Sequence, residues 1–245
     1  MWFTQPDDGQ IGRITPAGVV TEYNVPAGNS TPTGIAAGAD GNLWFTELNG
    51  HNIGKITPAG EITEYDIGTY PGKVTTGPDG NLWWTAPNAN SIAKTTPSGV
   101  TTKYPTYTTY KDYINTIAAG PDGKLWFTTK DQNSIGNMST TGALKYFTLP
   151  TGAANPVDIT SGPDGNMWFT EYDSHKIGKI TPAGAITEYR CPPLAPARRR
   201  SPPALTARCG SPTSAPTRSA RSPPTEHLPT AHPAPGTGLR DLGGF

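Results

Sequence analysis

Long apolar runs are missing from this chain of 245 residues. No stretch nears the roughly 18 apolar residues that a membrane-crossing helix needs, so a membrane partner is not expected. No charged-then-apolar leader is read at its start either. The compartment stays open, with a soluble bacterial protein as the expectation. A sustained 3.6-residue apolar period is also lacking, which argues against helices. Apolar residues make up only 34% of the chain, which suits thin interfaces between stacked sheets better than one large core. The chain has no Gly-x-Ser-x-Gly, no His-Glu-x-x-His, no phosphate-binding loop and no dinucleotide fingerprint. Its Asp-x-Gly segments lack the closing Glu of an EF-hand loop.

What the chain does hold is turn residues and a rhythm. Gly (29) and Pro (27) punctuate it densely. Trp2, Trp44, Trp83, Trp126 and Trp168 follow one another at steps of 42, 39, 43 and 42 residues, each opening Trp-(Phe/Trp)-Thr. A repeat of that length made of short β runs predicts an all-β fold, a β-propeller of four-stranded antiparallel blades. In the second repeat Thr33 to Gly38 reads as strand A and Leu43 to Glu47 as strand B. Ile53 to Thr57 reads as strand C and Glu61 to Tyr65 as strand D. The Asp-Gly before each strand B supplies a tight turn. Consecutive large side chains in strand B predict burial on both faces. The first repeat has no strand A, so the pattern gives four whole blades plus a three-stranded first blade. The tryptophans, in one slot of every repeat, read as packing between blades.

The net charge of zero conceals a boundary. Residues 1–189 carry 11 Lys+Arg against 17 Asp+Glu, whereas residues 190–245 carry 8 against 2. That second segment holds 12 Pro and both cysteines, and reads as a disordered tail. Its Arg198-Arg199-Arg200 run invites a nucleic-acid reading, but the genetic code gives another origin and no nucleic-acid partner is expected. Asn-Lys-Ile-Gly-Lys-Ile-Thr in C- or G-ending codons, read one base late, becomes Thr-Arg-Ser-Ala-Arg-Ser-Pro, the stretch Thr217 to Pro223. Pro-Asp-Gly-Ala-Leu-Trp-Phe-Thr shifted likewise becomes Leu205 to Pro212, with its hidden tryptophan at Gly210, 42 residues after Trp168. The tail is thus read as a sixth blade out of frame.

The phrase Gly-Pro-Asp-Gly-Asn-Leu-Trp-(Phe/Trp)-Thr, with Ile-Gly-Lys-Ile-Thr-Pro-Ala-Gly and Ile-Thr-Glu-Tyr, resembles the virginiamycin B lyase (streptogramin lyase) family. It is carried by Gly77 to Thr85, Gly162 to Glu171, Ile53 to Gly60 and Ile177 to Tyr189. The resemblance implies a seven-bladed propeller, a ring-opening elimination on type B streptogramins, and Mg²⁺ at the site. It also implies catalytic histidines after a Pro at the start of an inner strand. Here those slots read Pro32-Thr33-Gly34-Ile35, Pro71-Gly72-Lys73-Val74, Ile114-Asn115-Thr116-Ile117 and Pro156-Val157-Asp158-Ile159, without histidine. The expectation is a family propeller lacking the catalytic histidines, with a non-catalytic binding propeller and a non-functional gene fragment as alternatives.

Candidate ligand-face residues follow from the loops that propellers group on one face. Glu47 with His51 and Glu171 with His175, each four apart, form a metal-ligating or acid–base pair, or a solvated loop. Thr33, Lys73, Asn115 and Asp158 open inner strands and line the channel mouth, as ligand contacts or water-facing groups. Tyr107 and Tyr110, with Tyr113, offer rings to a sugar or peptide, or close over the channel as a lid. The partner implied is a small molecule or peptide at that face. Exposed blade faces also invite self-association. Sequencing the gene across the Arg190 codon is expected to reveal a single-base shift that restores a sixth repeat; an unambiguous read without such a repeat overturns the frame argument.

Overall fold

The computed structural model describes residues 1–28, 30–106 and 113–192. The tail from residue 193, Tyr107 and Tyr110 lie outside them, so the expectations placed there have no structural counterpart. The described chain folds into five antiparallel sheets, each a simple meander. The first is β1 (Trp2–Gln5), β2 (Gln10–Ile14) and β3 (Val20–Asn24). The second is β4 (Pro32–Ala37), β5 (Leu43–Glu47), β6 (Asn52–Ile56) and β7 (Ile62–Asp66). The third is β8 (Val74–Thr76), β9 (Leu82–Ala86), β10 (Ser91–Thr95) and β11 (Thr101–Pro105). The fourth is β12 (Ile114–Ala119), β13 (Leu125–Thr129), β14 (Ser134–Met138) and β15 (Leu144–Thr148). The fifth is β16 (Pro156–Ser161), β17 (Met167–Glu171), β18 (Lys176–Ile180) and β19 (Ile186–Arg190).

Four whole blades and a three-stranded first blade are therefore present, as the 42-residue rhythm requires. Strands C and D are displaced by one residue from the sequence reading, because Asn52 pairs both Glu47 and Asp66 and so joins the ladder. The last strand likewise runs one residue past Tyr189: Arg190 pairs with Lys176. Among the described residues no helix is long and apolar enough to cross a membrane.

In each of the four whole blades, strand B is pinned at its start by one carboxylate. Asp40, Asp79, Asp122 and Asp164 accept the indole N–H of Trp44, Trp83, Trp126 and Trp168 at 3.1, 2.9, 2.9 and 2.9 Å. The same aspartates accept the backbone N–H of Asn42, Asn81, Lys124 and Asn166 inside the turn. The turn residue thus caps the tryptophan as well as the backbone, a second job that turn chemistry alone does not reveal. Burial pulls the Asp79 carboxyl upward, but the bonds from Trp83 and Asn81 and the charge of Lys94 outweigh it and hold it below its ordinary value.

Neighbouring blades meet through one repeated contact. The strand-B tryptophan stacks on the strand-D aromatic of its own blade, as in Trp44 on Tyr65 at 5.6 Å and Trp83 on Tyr104 at 5.3 Å. Lys55 and Lys94 of strand C lie over these pairs. The far edge of each aromatic is covered by the C–D turn of the next blade, where only glycine fits. A Cβ on Gly60, Gly99, Gly142 or Gly184 would stand 2.1, 2.2, 2.6 or 2.1 Å from the ring of Tyr23, Tyr65, Tyr104 or Phe147. The aromatic residue after each of these tryptophans, phenylalanine except for Trp84, faces the other way. Phe45 lies over Gly54 of its own blade and joins Ile11, Val25 and Ile56 in the core between blades one and two. The core is thus four thin seams, one per junction, each joining a strand-B tryptophan face to the face of the next blade's following aromatic, which is Trp84 in blade three and phenylalanine in the others.

Gly99 has φ +89° and an occupied approach, whereas Gly18 in the equivalent turn of blade one has φ +83° and nothing within 4 Å among the described residues. Gly18→Ala is expected to cost about 1 kcal/mol, the backbone penalty alone. Gly99→Ala adds overpacking and is expected to cost about 3 kcal/mol. Urea unfolding midpoints of the two variants check the ordering.

Candidate functional site

The polar residues expected at a channel mouth sit at the starts of the inner strands, three of which carry a local irregularity. Strands β4, β12 and β16 each shift register near their starts, between Pro32 and Gly34, Ile114 and Ile117, and Pro156 and Ile159. Such a shift leaves a backbone N–H unpaired in the ladder. The threonine that ends each Trp-(Phe/Trp)-Thr supplies the missing acceptor. Thr46, Thr85, Thr128 and Thr170 accept from the N–H of Gly34, Lys73, Thr116 and Asp158 at 2.9, 3.0, 3.3 and 3.1 Å. The third letter of the repeated phrase therefore fastens the start of each inner strand, a role the sequence alone left without a reason.

On that frame the mouth candidates separate. Thr33 shares a hydroxyl hydrogen bond with Thr46 at 3.1 Å. Asn115 donates from its side chain to the carbonyl of Pro156, 3.1 Å away in the next blade. Asp158 accepts from the N–H of Ile159 at 3.0 Å and is half-buried. Lys73 is exposed. It is the cation of the group, while Thr33 and Asn115 are held by the frame.

Glu47 and Glu171 sit deeper. Both are closed off from solvent, at 0% and 2% exposure, and one oxygen of each, Oε1, has no hydrogen-bond donor. The other oxygen is served locally: Glu47 accepts from Asn52 at 3.2 Å, and Glu171 from the Ser174 hydroxyl at 2.5 Å. Burial pushes the Glu47 carboxyl up to about 7; the Asn52 bond opposes this and the Glu64 carboxylate beside it adds to it. Burial also raises Glu171, with Ser174 opposing and Glu188 adding. Glu64 and Glu188 have a task of their own, holding the connection that leads into their blade. Glu64 accepts the N–H of Ala27 at 3.0 Å, and Glu188 accepts the N–H of Thr151 at 3.0 Å. Lys176 bonds Glu188 at 2.6 Å. For Glu188, burial pulls upward but is outweighed by bonds from Lys176 and Thr151, and the carboxyl lies below its ordinary value.

No hydrogen bond joins Glu47 to His51 or Glu171 to His175 among the described residues. The histidines are placed by backbone conformation. Both have positive φ (56° and 53°), at the turn position where the other blades carry Gly9, Asn90 and Asn133. The carbonyl at that position accepts the N–H that follows strand D, from Ile67 onto His51 and from Cys191 onto His175. The His51 ring meets Tyr70 edge-on at 4.2 Å.

Comparison with known proteins fixes the relationship. The model of the virginiamycin B lyase family matches residues 1–110 and again 68–208. The chain belongs to the virginiamycin B lyase family. A streptogramin B lyase structure is 41% identical with a TM-score of 0.74, over 78% of this chain and 65% of that one. Virginiamycin B lyase from Staphylococcus aureus is 40% identical with a TM-score of 0.74, over 78% and 66%. A catalytically inactive histidine-to-alanine variant of that enzyme, solved with quinupristin, is 41% identical with a TM-score of 0.73, over 77% and 65%. The chain thus spans just under two thirds of the length of these solved relatives. No curated protein matches it.

The Mg²⁺ that the family implies needs several oxygen ligands in octahedral array. Among the described residues no group of three or more His, Cys, Asp or Glu side chains is placed to hold a metal ion. Lys176 and Glu64 were not singled out from the sequence; the signal was the variation at matched repeat positions, Gln10, Asn52, Ser91, Ser134 and Lys176.

The Lys176–Glu188 pair is largely buried, with side-chain exposures of 16% and 10%. Lys176→Met is expected to destabilise the protein by about 2 kcal/mol near neutral pH, by leaving Glu188 uncompensated. Because folding lowers the Glu188 carboxyl, its contribution is present above the unfolded value of 4.5 and lost as pH falls through the folded one. The variant's penalty should therefore shrink in acid, as thermal unfolding at a series of pH values will report.

Proposed function

We propose that this propeller receives a type B streptogramin or a similar cyclic peptide on the face where β4, β8, β12 and β16 begin, and does not linearise it. The observation that carries the reading is the content of the inner-strand slots. Thr33, Lys73, Asn115 and Asp158 stand there, while His51 and His175 occupy turn positions in the B–C loops. An elimination needs a base near the proton to be removed and donors near the developing charge. The slots supply a cation in Lys73 and amide and hydroxyl donors in Asn115 and Thr33, but no neutral imidazole. Binding of this ligand class is supported by the relative whose inactive variant was solved with quinupristin.

A second reading, a gene fragment without function, is favoured by the out-of-frame repeat in Leu205 to Pro212. Calorimetry with quinupristin and Mg²⁺, followed by mass analysis of the ligand, separates the readings. The expected result is saturable binding of intact ligand, weakened about tenfold by Lys73→Ala through loss of one charged hydrogen bond. Ring-opened product would overturn the non-catalytic reading, and absence of binding would favour the fragment.

A further inference from the structure

The same corner of the blade is built three ways, and the differences say where a proton sits. The corner consists of the last residue of strand B and the residue before the strand-D aromatic. In blade one these are Gln5 and Glu22, and the Gln5 amide donates to the Glu22 carboxylate at 3.0 Å. In blade five they are Glu171 and Glu188, and the Lys176 ammonium stands on Glu188 at 2.6 Å. In blade two they are Glu47 and Glu64, with Asn52 where blade five has Lys176. The amide of Asn52 donates to Glu47 Oε2, not to Glu64. Blade two thus has two carboxyl groups at this corner, one of them fully buried, and among the described residues neither an amide nor an ammonium bonded to both.

Among the described residues, the other charges around this corner are engaged elsewhere. On β6, Lys55 lies over Trp44 and Tyr65. His51 packs on Tyr70, and Asp66 accepts the N–H of Gly68. Lys103 of blade three donates to the carbonyl of Ile67. Strands β4, β8 and β9 carry no charged residue. Glu47 Oε1 is left buried without a donor of its own.

We propose that Glu47 is a protonated carboxylic acid in the native protein and donates from Oε1 to the Glu64 carboxylate, performing the part that the Gln5 amide performs in blade one. The pair then holds one proton and one negative charge. The Glu64 carboxylate also accepts the Ala27 N–H and so fastens the connection that enters β4 at Pro32, the residue before Thr33. Losing the proton sets two carboxylates against each other inside the blade. The native state binds a proton that the unfolded chain releases, so this contribution to stability is complete below the ordinary carboxyl value. It is lost as pH rises from there through neutrality.

The test uses the whole chain. Infrared difference spectra at about pH 6 are expected to show a protonated-carboxyl C=O stretch that disappears in both Glu47→Gln and Glu64→Gln. Glu47→Gln reproduces the Gln5–Glu22 arrangement already present in blade one, so it is expected to fold. Between about pH 5 and about pH 8, the ratio of the wild-type unfolding constant to that of Glu47→Gln should rise at least tenfold, as expected for one uncompensated proton. The Glu64→Gln variant, whose amide can donate to an ionised Glu47, should show a comparably flattened profile. A wild-type spectrum without the acid band, or a ratio that does not change with pH, overturns the proposal.

Discussion

Every blade depends on its neighbour through the seat of a glycine turn on an aromatic ring. A strand-B tryptophan stacked on a strand-D aromatic presents a flat apolar edge, and the next blade's C–D turn closes over it without a side chain of its own. The contact is directional, since the tryptophan face of one blade meets the opposite-facing aromatic of the next. A blade cannot be reversed or docked out of order without placing a ring where the glycine must be. Close packing of this kind is intolerant of even one added methyl group. It fixes the angle between successive sheets, and through that angle it fixes where the strands β4, β8, β12 and β16 bring their first residues together.

The rest of the repeat serves that seat. The aspartate that caps the indole N–H orients the tryptophan, and its charge is stabilised by the donors it gathers. The threonine that ends the repeated phrase repairs the inner strand where its register slips, so the starts of the inner strands are fastened by hydroxyls. Strand-D residues then tie down the crossovers: Glu64 through Ala27, Lys103 through Ile67 and Glu188 through Thr151. Framework and inner-strand starts are made from the same four or five letters of one phrase, which is why the phrase tolerates so little change from blade to blade.

Much of this was legible in the sequence, and the part that was not has a physical reason. Blade count, strand order and the Asp-Gly turns follow from a period and from local turn chemistry, both of which are read along the chain. The double duty of Asp40 and the bulge acceptor Thr46 depend on which groups lie side by side across a hairpin, and composition is silent on that. The Glu47–His51 spacing suggested a pair because the two lie four apart. In the structure a tight turn sends the carboxylate inward to Asn52 and leaves the imidazole on Tyr70. Sequence distance misled there because direction, not separation, decides contact between residues flanking a strand end. The absence of histidine from the inner-strand slots, by contrast, needed only the alignment of the repeats to one another.

The turn position before each strand C has a consequence of its own. Gly9, His51, Asn90, Asn133 and His175 share one left-handed backbone conformation there, and at each the fold makes use of the carbonyl. Their side chains are not what the turn requires. Five matched backbone positions, four of them bearing a side chain, are therefore displayed one per blade, on a scaffold indifferent to what they carry so long as the conformation is met. Asparagine, histidine and glycine already exchange there within a single chain. That makes these positions an address system: chemistry can be written on them one blade at a time while the seams beneath stay as they are.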